Sequence, residues 1–157
     1  MQPSPVKIRQ AHSEDAPCLH QLHTAAVRAL CANHYSTEVL DGWLLNRSPE
    51  GYLPPIECGT IFVAERDLTI LGFGEAAPGV VVAVYVHPSA THQGIGSALL
   101  SHALEMARRS HIGPIRVEST LNASAFYERQ GFCETKRSTV RRNNIDVPIV
   151  VMEHNAV

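Results

Sequence analysis

Val84-Tyr85-Val86-His87-Pro88-Ser89-Ala90-Thr91-His92-Gln93-Gly94-Ile95-Gly96-Ser97-Ala98-Leu99-Leu100 is the stretch that decides the fold. It begins inside an apolar run, Val80 to Val86, whose continuity suits a central strand covered on both faces. A short loop follows, and then Ile95, Leu99, Leu100, Ala103, Leu104 and Ala107 recur at helical spacing within Gly94 to Ser110. The helix opens at Gly94-Ile95-Gly96. A helix N-terminus offers unpaired N–H groups and the positive end of the helix dipole. Glycines let an anion approach the backbone. Together these make a pyrophosphate cradle. Standing alone, the same Gly-x-Gly also suits a tight strand-to-helix turn that binds nothing. Two other phosphate loops fit poorly. No Gly-Lys pair occurs for a Walker loop, and a dinucleotide Gly-x-Gly-x-x-Gly would need glycine where Leu99 stands.

Working outward, Gly113-Pro114 breaks the helix, Ile115 to Glu118 is a strand, and Ala123 to Arg129 is a short helix ended by Gly131. Phe132 to Val140, a turn at Asn143-Asn144, and Val147 to Glu153 form a closing hairpin. Upstream, Val6 to Ala11 alternates as a first strand. Glu14 to Ala32 is a helix with Leu19, Leu22, Ala26 and Ala29 on one face. Ser36 with Thr37 caps a second helix that carries Val39, Leu40, Trp43 and Leu44. Arg47 to Gly59, rich in proline and glycine, is expected to be a long loop. Thr60 to Glu65 and Leu68 to Glu75 are strands, the second thinned by Gly72 and Gly74. The order β-αα-βββ-α-β-α-ββ is a mixed α/β domain with the Val80–Glu118 strand-helix-strand unit at the middle of the sheet.

Composition narrows the function. The 157 residues fit one domain, and 45% hydrophobic content excludes a disordered chain. A net charge of -2 argues against a nucleic-acid binder. No run approaches the roughly 18 apolar residues of a membrane span, and Met1 to Lys7 shows no apolar leader. Cys18, Cys31, Cys58 and Cys133 form no Cys-x-x-Cys pair, so free thiols and a cytoplasmic location are expected. His20-x-x-His23 is the only close histidine pair. It lacks a third ligand, so no metal is expected, and the wet side of a helix is the better reading.

A second stretch, Val117 to Phe132, places a tyrosine on the short helix after the strand beside the cradle. Here the sequence resembles the GNAT (GCN5-related N-acetyltransferase) superfamily over nearly the whole chain. The family's acyl-CoA motif, Arg/Gln-x-x-Gly-x-Gly/Ala, corresponds to Thr91-His92-Gln93-Gly94-Ile95-Gly96. Its Ala-x-x-Phe-Tyr-x-x-x-Gly-Phe motif is met by Ala123, Phe126, Tyr127, Gly131 and Phe132. Tyr35-Ser36-Thr37-Glu38 to Trp43, Phe62 to Glu65 and Val147-Pro148 to Met152 are similar to a small bacterial, poorly characterised branch. The resemblance implies one GNAT domain over residues 1–157. Its fold would be a central mixed sheet of about six or seven strands with about four helices on both faces. Two positions depart from the pattern: Thr91 replaces the usual Arg/Gln, and Thr120 the frequent Asn, with Asn122 two residues later.

The resemblance further implies acetyl-CoA as co-substrate and no metal. The strand ending at Tyr85-Val86 would splay from its neighbour and pair with the pantetheine arm. An N–H there, that of Val86, would polarise the thioester oxygen, and the amides of Gln93 to Ser97 would hold the pyrophosphate. The cofactor-binding set is therefore Tyr85, Val86, Thr91, His92, Gln93, Gly94, Ile95, Gly96, Ser97, Thr120, Asn122 and Tyr127. Tyr127 would protonate the leaving thiolate as general acid. The strand glutamate used as base by the histone acetyltransferase branch is missing from apolar Val80 to Val84. Glu75, Glu118 and His34 are base candidates, with solvated strand ends and a wet loop as their plainer readings. The acceptor site would form from the N-terminal helices, the loop after them and the last hairpin. Tyr35, Trp43 and Tyr52 would wall it, although for Trp43, at helical spacing with Val39 and Leu40, a plain core position is the better reading. Arg141-Arg142 sits by the hairpin tip, where a solvated position is the default and contact with an acidic substrate the alternative.

The expected function is transfer of an acetyl group from acetyl-CoA to a primary amine of an unidentified small-molecule acceptor in a ternary complex. The alternative is a non-catalytic acyl-CoA-binding sensor or interaction module on the same fold. Many members of the family pair as homodimers, though no interface can be read from these residues.

Overall fold

The computed structural model describes residues 4–155. Of the segment inspected for a leader, Met1 to Pro3 lie outside them. The elements are strand β1 (Lys7–Gln10), helices α1 (Ala16–Leu30), α2 (Thr37–Leu44) and α3 (Leu53–Glu57), and strands β2 (Ile61–Arg66), β3 (Thr69–Ala77) and β4 (Val80–Val86). Helix α4 (Ile95–Arg108), strand β5 (Ile115–Ser119), helix α5 (Ser124–Arg129) and the hairpin β6 (Phe132–Arg142) and β7 (Ile145–His154) complete it. The strands form one seven-stranded sheet in the order β1-β2-β3-β4-β5-β7-β6. All pairs are antiparallel except β4–β5, which is parallel and bridged by α4. The strand-helix-strand unit thus stands at the centre, as its apolar run predicts.

Both faces of the sheet are covered. Phe62 and Ala64 of β2 pack with Leu99, Leu100 and Ala103 of α4 and with Tyr127 and Phe132. Ile61 and Val63, with the opposite parity, pack with Leu19 and Leu22 of α1, Ile56 of α3 and Phe73 of β3. A third cluster joins Val27, Cys31, Tyr35, Leu40 and Trp43 to Val147 of β7. The two glycines of β3 mark close approaches. A Cβ on Gly72 would stand 2.8 Å from the Tyr85 carbonyl and 2.9 Å from Leu99, and one on Gly74 2.6 Å from the Phe62 ring.

Four expectations need correction. Arg47 to Gly59 is not a long loop: a 3-10 turn at Pro49–Tyr52 leads into α3. The prolines fall in first turns, where a missing N–H leaves no bond unmade. The helix expected from Glu14 begins as a 3-10 turn at Ser13–Asp15 and becomes α1 only at Ala16. Its buried stripe is Leu19, Leu22, His23, Ala26 and Val27, so His23 faces in and Ala29 out. Lastly, β4 is central but only Val81 is fully buried, and Val82 is 47% exposed.

The register explains β4. Glu75 pairs with Ala83 and Ala76 with Val81, so Val82 is an extra residue, a β-bulge. On its other side β4 meets β5 only at Val80↔Arg116 and Val81↔Val117. Beyond Val81 the two strands part, while β5 continues against β7 to Ser119↔Val150. Leu99, fully buried where α4 crosses the sheet, tests the core. Leu99→Ala is expected to lower the unfolding free energy by about 2–5 kcal/mol in urea denaturation.

Candidate active site

The parting of β4 and β5 leaves a small cavity lined by Val82, Ala83, Val84, Tyr85, Glu118, Ser119, Thr120, Ala123 and Tyr127. His87 N–H donates to Leu71 O on β3. By the alternation of an antiparallel pair, the N–H and C=O of Val86 therefore face away from β3, into the gap. Tyr127 is buried, edge-on to Phe126 and Phe132 at 5.2 and 5.3 Å. Burial pushes its phenol above the ordinary value, so it stays protonated.

At the C-terminal end of β4 the chain turns through Pro88–Ala90 and enters α4. Thr91 Oγ1 donates to Pro88 O at 3.3 Å, bracing this turn. Gly94 adopts φ 80°, a left-handed conformation, with nothing within 4 Å of where a Cβ would stand. Its carbonyl accepts the first helical bond, from Ala98 N–H. The amides of the preceding turn have no acceptor within the helix. Two side chains support this corner: Gln130 Nε2 donates to Ser97 Oγ at 3.0 Å, and Arg66 Nη1 to Gln93 Oε1 at 3.1 Å.

On the α1 face lies a larger cavity of about 600 Å³. It shares Val82, Ala83, Tyr85, Glu118 and Thr120 with the gap, so the two are adjacent. Glu75, Trp43, Tyr52, His23, Arg47 and Arg142 are among its other walls. Burial raises the Glu75 carboxyl above its usual range. Glu118 is exposed, with Arg116 3.6 Å away. His23 Nδ1 lies 2.8 Å from the Tyr52 hydroxyl and 2.6 Å from Arg47 Nη2, which also donates to Tyr52 Oη at 2.9 Å. A guanidinium only donates, so Nδ1 is an acceptor and the imidazole is neutral. Its pKa is pushed down to about 3, first by burial and then by the charges of Arg47, His20 and Arg142. The ring lies 4.2 Å from that of Tyr85.

Of the residues expected at the acceptor site, Trp43 and Tyr52 line this cavity and Tyr35 does not. The Tyr35 hydroxyl donates to Pro148 O at 2.6 Å and accepts from Leu121 N–H at 2.9 Å. His34 is exposed and lies off the cavity, whereas Glu75 and Glu118 are on it. Thr120 lines both spaces, while Asn122 Oδ1 accepts from the buried Cys31 thiol at 3.2 Å. Among the described residues no cluster of three His, Cys, Asp or Glu is placed to hold a metal, and no helix is long and apolar enough to cross a membrane. Sequence reasoning missed His23 and Arg47. The i to i+4 step from Leu19 put His23 on the apolar stripe, which was the available signal; Arg47 had none.

A family model described as "Acetyltransferase (GNAT) domain" matches residues 31–153. The chain belongs to the GNAT acetyltransferase family. An amino-acid acetyltransferase of Mycobacterium tuberculosis is 28% identical over 142 residues, 88% of this chain and 75% of that protein. Among solved structures, a GCN5-related N-acetyltransferase from Rhodopseudomonas palustris superposes with a TM-score of 0.90 at 22% identity, covering 99% of each chain. The PaiA N-acetyltransferase of Thermoplasma acidophilum, solved in complex with coenzyme A, gives 0.76 at 23% identity over 97% of this chain and 99% of that one. At such identities these two likenesses concern the fold.

Within this GNAT domain, Tyr35 ties the α1–α2 connection to both β7 and the segment after β5. Its hydroxyl satisfies two backbone groups at once. Tyr35→Phe is expected to cost about 1 kcal/mol of stability, because the part-buried Leu121 N–H and Pro148 carbonyl lose their partner. Thermal unfolding checks the loss.

Proposed function

We propose that this GNAT domain transfers an acetyl group from acetyl-CoA directly to a primary amine of a small acceptor, both substrates being bound together. The observation that carries the reading is the parting of β4 from β5, which leaves a gap that shares Val82, Ala83, Tyr85, Glu118 and Thr120 with the wall of the 600 Å³ cavity. The residues present fit acetyl-CoA. The open space at Gly94 and the free amides of Gln93 to Ser97 suit its pyrophosphate, with Thr91 and His92 shaping the loop. The unpaired edge of β4 suits the pantetheine arm as an added strand. Bound there, acetyl-CoA supplies a thioester whose C–S bond breaks as the acceptor N–C bond forms.

The chain's own groups supply the rest. Val86 N–H, directed into the gap, donates to the thioester oxygen and favours the charge that develops on it. Glu75, its carboxyl made more basic by burial, takes the proton that the ammonium must lose. Tyr127, kept protonated by burial, gives its proton to the leaving sulfur. Glu75 is favoured over the other base candidates because it is both on the cavity and partly buried. Glu118 faces solvent beside Arg116, and His34 is off the cavity.

Thiol release from acetyl-CoA over a panel of amines tests the proposal. Tyr127→Phe is expected to lower kcat at least tenfold, about 1.4 kcal/mol of barrier, with little change in KM for acetyl-CoA. A base acts when deprotonated, so kcat/KM rises with pH through an ionisation above the usual carboxylate range. Glu75→Gln removes that rise. Stabilisation by coenzyme A with no turnover on any amine would favour a non-catalytic acyl-CoA-binding module instead.

A further inference from the structure

The acceptor cavity is not uniformly charged. Glu75 and Glu118, on β3 and β5, line it, Glu118 also lining the gap, and Arg47 and Arg142 line it as well. Arg47 follows α2 and enters the helical wall, where its Nη2 is held by His23 and Tyr52. Both of those partners are neutral, so they orient the guanidinium without cancelling its charge. Among the described residues Nη1 makes no hydrogen bond, Nε is buried with no partner, and no carboxylate pairs with Arg47. A partly buried guanidinium with donors to spare and no counter-ion is an incomplete arrangement.

Arg142 reaches the same cavity from the end of β6. Its neighbour Arg141 is paired with Asp146 at 2.8 Å, whereas Arg142 has no carboxylate partner among the described residues. The hairpin tip is fastened over α2: Asn143 Nδ2 donates to Gly42 O at 2.9 Å and Leu45 O at 2.6 Å. Arg142 is therefore held over the cavity rather than left on a free tip. The positive charge of both arginines is felt at His23, which is kept neutral partly by them.

We propose that the acceptor is a zwitterion, an amine that also carries a carboxylate, and that Arg47 receives this carboxylate with Arg142 as a second cation on the cavity wall. This rests on the transfer reading above and deepens it. A carboxylate takes parallel donors from a guanidinium and supplies the missing counter-ion. Its amine then meets Glu75 on the sheet side of the cavity. The same two arginines disfavour acceptors that carry only positive charge, such as polyamines.

The test is the acceptor dependence of thiol release, using α-amino acids, each beside its carboxamide, and spermidine. The proposal expects kcat/KM at least tenfold higher for a carboxylate acceptor than for its carboxamide. Arg47→Gln is expected to raise KM for that acceptor at least tenfold, leave KM for acetyl-CoA unchanged and erase the preference. Arg142→Gln, an exposed change that breaks none of the His23–Tyr52 hydrogen bonds, gives a smaller shift of the same sign and guards against a folding effect. Carboxamides or spermidine turned over as well as carboxylates would overturn the proposal, as would variants that slow both acceptor classes alike. If no amine is turned over, the transfer reading fails separately, and calorimetric titration of N-acetyl amino acids onto the coenzyme A-saturated protein decides the site. Binding weakened tenfold by either variant upholds the carboxylate site, and no binding overturns it.

Discussion

Strands β4 and β5 are hydrogen-bonded at Val80–Val81 and Arg116–Val117 and not beyond. Two local facts impose this. Val82 is one residue too many for the register with β3, so β4 bends there and carries its edge away from β5. Strand β5 is committed to β7 along its whole length and does not follow. The rest of the functional architecture depends on that divergence. It leaves one edge of β4 unpaired beyond Val81, opens the gap that Tyr127 lines, and sets that gap beside the α1-side cavity. A regular parallel pair would have closed all three.

The two ends of the resulting passage are built from different materials. The α4 end is backbone: amides of a first helical turn, a left-handed Gly94, and side chains such as Thr91 and Gln130 that brace rather than reach in. The cavity end is side chains drawn from α1, the segment after α2, β3, β5 and the β6–β7 hairpin. A backbone site tolerates substitution, which is why threonine at position 91 leaves the loop intact. A side-chain site changes with each residue.

Much of the fold was legible because its signals were local. The apolar run at Val80–Val86, the glycines at 94 and 96, and the helical stripe Ile95-Leu99-Leu100-Ala103 specify the central unit almost residue by residue. The turn at Asn143-Asn144 is a two-residue hairpin in which both residues have positive φ, as that pair suggests. Helix α3 was hidden because prolines signal breaks unless they fall in a first turn. At the candidate site, the turn into α4 was legible through spacing along one segment. The α1-side cavity was not. His23 and Arg47 meet only through tertiary packing of α1 against the turn after α2, and Tyr35 looked like a wall residue until Pro148 and Leu121 claimed its hydroxyl.

The divergence also divides the sheet mechanically. Strands β1 to β4 form one panel and β5, β7 and β6 another, joined edge to edge by only two residue pairs and otherwise through side-chain packing in a shared core and the Tyr35 and Cys31 contacts. Anything that occupies the gap as an added strand restores continuity across that seam. Ligand binding and the cooperativity of unfolding therefore draw on the same hydrogen bonds. With the gap filled, the two panels melt as one unit, and with it empty the seam is the place where their unfolding can separate.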